Sequence, residues 1–289
     1  ILSSVHPSNK KQMKYILHTL LTILITTTLF AQHSPLSIRK TGSGTPVILL
    51  PGFGCPGAVW NDFASQLKNY QVQQISYAGF DQLPPIDTPW YTSLRDALVD
   101  HIKKEDLKNV HLVGHSMGGN LATELAALLP DRITKLVIVD ALPCMREVMM
   151  PGMSADQLTY NNPYNDQMLA MDQAAMAKYV KMMADNMTMD SVHSATIQRW
   201  MMQAERKTFV YGYTELLKMD LRDRLAKIRI PVLILGASFP DKKVTESNFQ
   251  KQYTDLANKT ILIANNSRHF IMFDDAEWMN NSISKYFAK

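Results

Sequence analysis

The sequence predicts an α/β fold: a mostly parallel sheet flanked by helices, with a helical cap inserted into it. Three observations carry this expectation. Short apolar runs that stop at Gly or Pro recur along the chain, as buried parallel strands do. Segments of helical period alternate with them, the rhythm of repeated β-α-β units. One interval, residues 141–225, breaks the rhythm. It contains no convincing strand and holds fourteen of the chain's 18 methionines.

The elements follow in order. Residues 36–40 are strand-like and run into Thr41-Gly42-Ser43-Gly44, a turn composition. Residues 46–50, Pro-Val-Ile-Leu-Leu, are apolar on both faces and end at Pro51-Gly52. The same pattern returns at 72–77, 110–113, 136–139, 232–235 and 260–263. Helices are expected at 60–67, 92–103, 121–129 and 280–287. In the second of these, Leu94, Ala97, Leu98 and Ile102 fall on one face. The third is apolar nearly all round, as suits a helix against a sheet. Residues 141–225 are too long for a connecting loop, so they read as a cap. Flexible, polarizable Met side chains suit either an adaptable apolar surface or the cap's own core.

Composition bounds the rest. The chain has 289 residues, 46% of them hydrophobic, enough for one large domain or one domain with an insert. Its net charge of +4 owes much to Lys10, Lys11 and Lys14, which lie in an N-terminal stretch without acids. No basic stripe suggests nucleic acid, and the expected partner is a small-molecule substrate. Residues 1–31 read as a leader. The three lysines precede an apolar run at 15–30, and Ala31 offers a small residue for cleavage. Met13 is a candidate start. The run is short of the ~20 residues of a spanning helix; an uncleaved membrane anchor is the alternative. Both readings put the folded body outside the cytoplasm, periplasmic or secreted. Cys55 and Cys144 fit no zinc spacing and are read as free thiols or as a pair in an oxidising compartment. No phosphate-cradling loop, paired-His metal spacing or dinucleotide fingerprint occurs, so no cofactor is expected.

The chemistry concentrates at Gly114-His115-Ser116-Met117-Gly118-Gly119, which follows a buried strand and opens a helix. This is G-x-S-x-G in its strand–turn–helix setting. The glycines relieve a sharp turn that raises the serine hydroxyl above the sheet. His115 is expected to point away and to be structural. With this elbow, the chain resembles the α/β-hydrolases over residues 36–287. The resemblance implies a core of residues 32–140 and 226–289 with the cap at 141–225, inserted after the sixth strand.

It also implies a Ser116 nucleophile and an oxyanion hole from the N–H groups of Phe53 and Met117. Pro51-Gly52-Phe53-Gly54 occupies the loop where the family often has His-Gly. His269, after the last strand, is the implied base. His193 falls in the cap. The family's acid follows one of two strands, which offers Asp140 and Asp241, and both stay open. The usual acid position in the second loop is Phe239, two residues before Asp241. Asp274 and Asp275 read as the N-cap region of the last helix. The implied reaction is ester hydrolysis through an acyl-enzyme. The alternatives are carbon–carbon bond hydrolysis, cofactor-free peroxidase chemistry, or a non-catalytic ligand receptor on the same scaffold.

Overall fold

Seven strands form one sheet in the computed structural model, which describes residues 33–288. The expected leader lies outside the described residues. The strands are β1 (Leu36–Thr41), β2 (Thr45–Leu50), β3 (Tyr70–Tyr77), β4 (Val110–His115), β5 (Ile133–Val139), β6 (Val232–Gly236) and β7 (Lys259–Ile263). Their spatial order is β1-β3-β2-β4-β5-β6-β7, and only β1 runs antiparallel to its neighbour. Burial explains the apolar runs. Val47 to Leu50 and Leu136 to Val139 are fully enclosed on both faces. The edge strand β7 alternates half-buried and exposed residues instead.

Helices cover both faces. In the first half lie α1 (Asn61–Gln66), α2 (Trp90–Lys104) and α3 (Met117–Leu128). α3 begins at Met117, four residues earlier than expected, because Gly118 and Gly119 let its first turn lie against β2, β4 and β5. Between β5 and β6 come α4 (Met145–Met149), α5 (Pro163–Ala170), α6 (Gln173–Met187), α7 (Ser191–Gln203), α8 (Arg206–Lys218) and α9 (Arg222–Leu225). This helical stretch leaves the sheet after β5, the fifth strand, so the expectation of a cap after a sixth strand is corrected. α10 (Lys242–Gln252), α11 (Ile271–Asp274) and α12 (Ala276–Phe287) complete the chain. The sequence reading missed α10.

The methionines of the helical stretch divide between core and surface. Met168, Met176 and Met201 are buried, whereas Met149, Met182 and Met189 are more than half exposed. A buried carboxylate fastens the stretch to the sheet side. Glu215 of α8 accepts hydrogen bonds from the Trp90 and Tyr91 N–H groups at the start of α2 (2.9 and 2.7 Å) and from the Tyr160 hydroxyl (2.7 Å). It satisfies two donors that α2 cannot satisfy itself and opposes the positive end of the helix. Glu215→Ala is expected to lower unfolding free energy by about 1–3 kcal/mol, because it strands those buried groups. Denaturant titration checks this as a lower midpoint with an unchanged slope.

Candidate active site

The sheet reverses direction of growth at β2 and β4: β3 lies to one side of β2 and β4 to the other. The strand ends at such a switch point leave a crevice in open α/β sheets. Two loops emerge there, residues 51–56 after β2 and the elbow after β4.

The elbow is built by steric exclusion. Ser116 sits at φ 52°, ψ −123°, a conformation that side chains rarely adopt. A Cβ on Gly114 would meet the Gly118 carbonyl oxygen at 2.1 Å, and one on Gly118 would meet that of Leu50 at 2.2 Å. No alanine fits either place without backbone movement. The Ser116 N–H donates to the Val139 carbonyl (2.9 Å), which anchors the turn to β5. The Ser116 side chain makes no capping bond to α3.

Asp140 ends β5 at φ 46°. Its own N–H donates to the Leu235 carbonyl (2.7 Å), and its Oδ1 accepts from the Ala237 N–H (2.8 Å). The pairing of β5 with β6 therefore aims Oδ2 at His269 Nδ1, 2.6 Å away. This bond fixes the proton on Nδ1 and leaves Nε2 with its lone pair. Ser116, Asp140 and His269 line one cavity of about 240 Å³. The structure thus brings three of the sequence-nominated residues together. It does not bring Asp241, which caps α10 by accepting from the Val244 N–H (2.9 Å).

The two nominated oxyanion donors lie on the two loops of the crevice. Neither the Phe53 nor the Met117 N–H makes a backbone hydrogen bond among the described residues. The Phe53 ring is fixed between Phe80 (4.9 Å between centroids), Phe209 (5.3 Å) and Tyr213 (5.7 Å), so the loop is held by the side chain of the residue whose N–H it presents. Cys55 next to it is a free, buried thiol whose pKa burial pushes up to about 12; Cys144 is free and buried as well.

His115 corrects an expectation. It does not point away from the base: its ring lies 4.5 Å from that of His269, and its Nε2 donates to the His269 carbonyl (3.0 Å). Burial, and then the neighbouring His269, push its pKa well below the ordinary value, so it is a neutral brace. Asp274 is also not the helix cap expected of it. Its carboxylate accepts from the Arg268 N–H (2.8 Å), the Thr188 hydroxyl (2.6 Å) and the Met189 N–H (2.9 Å). It ties the His269 loop to the turn between α6 and α7. Asp275 precedes α12 but makes no capping bond with its side chain. His193, on α7, stacks on Phe273 at 4.2 Å and does not line the cavity.

Among the described residues, no group of three or more His, Cys, Asp or Glu could hold a metal ion, and no helix is long and apolar enough to cross a membrane. The arrangement suits nucleophilic acyl transfer: a serine on an elbow, a histidine oriented by a carboxylate, and a helix N-terminus beneath the reacting centre.

A serine hydrolase fold with its nucleophile elbow is the class that these features define. The chain belongs to the alpha/beta hydrolase family, whose sequence pattern matches residues 47–281. Among similar proteins, a pimeloyl-[acyl-carrier protein] methyl ester esterase of Aeromonas salmonicida is 30% identical over 212 residues, covering 68% of this chain and 78% of that one. The protein of the same name from Vibrio cholerae serotype O1 is 27% identical over 204 residues, covering 68% and 76%. Two solved structures share the fold: an esterase from Exiguobacterium antarcticum (TM-score 0.74, 20% identity, covering 88% of this chain and 96% of that one) and the enol-lactonase from Burkholderia xenovorans LB400 (TM-score 0.74, 16% identity, covering 88% and 96%).

Proposed function

We propose that the protein is a serine esterase that cleaves a carboxylic ester through an acyl-Ser116 intermediate. The observation that carries this reading is the Asp140–His269 pair, 2.6 Å apart, on the cavity that Ser116 also lines. His269 Nε2 takes the hydroxyl proton as Ser116 Oγ attacks the carbonyl carbon. The tetrahedral oxygen takes up negative charge, and the Phe53 and Met117 N–H groups donate to it. His269 then gives the proton to the departing alkoxide. Water, deprotonated by His269, attacks the acyl-enzyme, and Ser116 leaves with the proton returned. Asp140 holds the ring and balances the imidazolium at each stage.

The helical stretch 141–225 acts as the cap that selects substrate. Met145, Val148 and Leu216 from it form part of the cavity wall. The volume of about 240 Å³ falls below the roughly 300–1,000 Å³ usual for drug-sized ligands, which favours a small or medium acyl chain. The relatives that carry a methyl ester esterase name support the same reaction class. Export belongs to this proposal too: protein recovered from the periplasm or medium would begin at Gln32.

The test is steady-state hydrolysis of straight-chain methyl and p-nitrophenyl esters of increasing acyl length. Turnover that peaks at short or medium chains is expected. A folded protein inactive on every ester, lactone and amide offered would contradict the reading.

A further inference from the structure

Three neutral polar side chains line the cavity beside the reacting groups: Asn120 on α3, and Thr245 and Asn248 on α10. The cavity is otherwise largely apolar, with Met145, Val148, Leu216 and Phe249 also lining it. Asn120 is only 7% exposed, and its Oδ1 is buried without any hydrogen-bond partner. Burying an amide oxygen unpaired is costly, and a turn of this side chain toward the cavity it lines would let a ligand donor pair it. Thr245 and Asn248 stand three residues apart on one face of α10. Among the described residues, neither the Thr245 hydroxyl nor the Asn248 amide makes a side-chain hydrogen bond.

Apolar cavities that carry a few placed polar groups use them to orient a ligand and to select it. Here each of the three groups both donates and accepts. The matching ligand group does the same, as an amide or a hydroxyl does. No Lys or Arg lines the cavity, and Asp140 supplies a carboxylate to it. A free carboxylate on the substrate would therefore lose its water without gaining a cation.

Building on the esterase reading above, we propose that the preferred substrate is an uncharged ester whose cavity-filling arm carries an amide or hydroxyl, recognised by Asn120, Thr245 and Asn248. The apolar part of that arm packs on the Met145 and Leu216 side. Selectivity comes from pairing groups that stay unpaired when a plain hydrocarbon chain enters.

Two series of esters test this. In one, methyl octanoate is compared with analogues in which an amide replaces a CH₂–CH₂ unit at successive positions along the acyl chain. In the other, octyl acetate is varied likewise in its alkoxy chain. In at least one series, an amide member is expected to exceed its parent in kcat/KM by about tenfold or more, since sites built to hydrogen-bond discriminate strongly against analogues that cannot. That advantage, read as the ratio of the amide member to its parent on the same variant, should shrink to about twofold or less in Asn248→Leu or in the nearly isosteric Thr245→Val. Wild-type preference alone is informative if a variant folds poorly. Hydrolysis of the parents with no amide member favoured, or a preference that survives both variants, overturns this inference and leaves the esterase reading standing. Hydrolysis of no member of either series overturns this inference, and the esterase reading falls with it only if the wider panel of esters, lactones and amides is untouched as well.

Discussion

Ser116→Ala is expected to lower kcat for ester hydrolysis by about a million-fold, the scale seen when a triad nucleophile is removed. The change should leave the fold intact. Ser116 makes no side-chain bond to α3, and its backbone N–H, which holds the turn to Val139, is kept by alanine. Substrate affinity should move little, because the cavity walls and the Phe53 and Met117 N–H groups remain. A small residual rate over water follows from those donors and from binding. The measurement is kcat and KM on the best ester, with circular dichroism to show that the variant folds. A variant within about tenfold of wild type would remove Ser116 from the chemistry, since no partial loss of a nucleophile is that mild.

Asp140→Asn is the second large effect, with an expected fall in kcat of about ten-thousand-fold. An amide at this position loses the charge that balances the imidazolium and allows the wrong tautomer of His269. Asn tolerates the positive φ of 46° that this strand end requires, so the backbone should survive the change. Asp241→Asn separates the two carboxylates nominated by the sequence. Asn caps a helix about as well as Asp, so both α10 and the rate should be nearly unchanged. A larger rate loss at Asp241 than at Asp140 would mean that the loop after β6, not the end of β5, supplies the acid.

The two candidate acids show what the sequence could not resolve. Both follow an apolar strand, and neither spacing is decisive. Tertiary pairing decides which of them meets His269: β5 lies against β6, so the Asp140 N–H reaches Leu235 and its carboxylate is held by the Ala237 N–H. A contact across 97 residues leaves no local signature. Asp241 did carry a signal, a helix-capping residue before 242–252, and that helix was missed because its face is largely polar. The elbow was legible because its rule is local and steric, two glycines whose replacements would collide with backbone at about 2 Å. The contact of His115 with the base was not legible, for the opposite reason. Its neighbour in space, His269, is 154 residues away, and only the folded loop brings the two rings together. The strands were legible where both faces are buried and the composition is uniformly apolar. Five strand-like runs precede residue 141 in the sequence and five strands precede it in the structure, so the expected sixth had no residues behind it.

The proposed reaction requires the Ser116 hydroxyl to be a nucleophile activated by His269. Reaction of the folded protein with a fluorophosphonate, followed by mass mapping of its peptides, tests this most directly. The predicted result is a single adduct on the peptide containing Ser116, absent in Ser116→Ala and formed far more slowly in His269→Ala. A folded wild-type protein that takes up no label, or one whose label persists in Ser116→Ala, would contradict it.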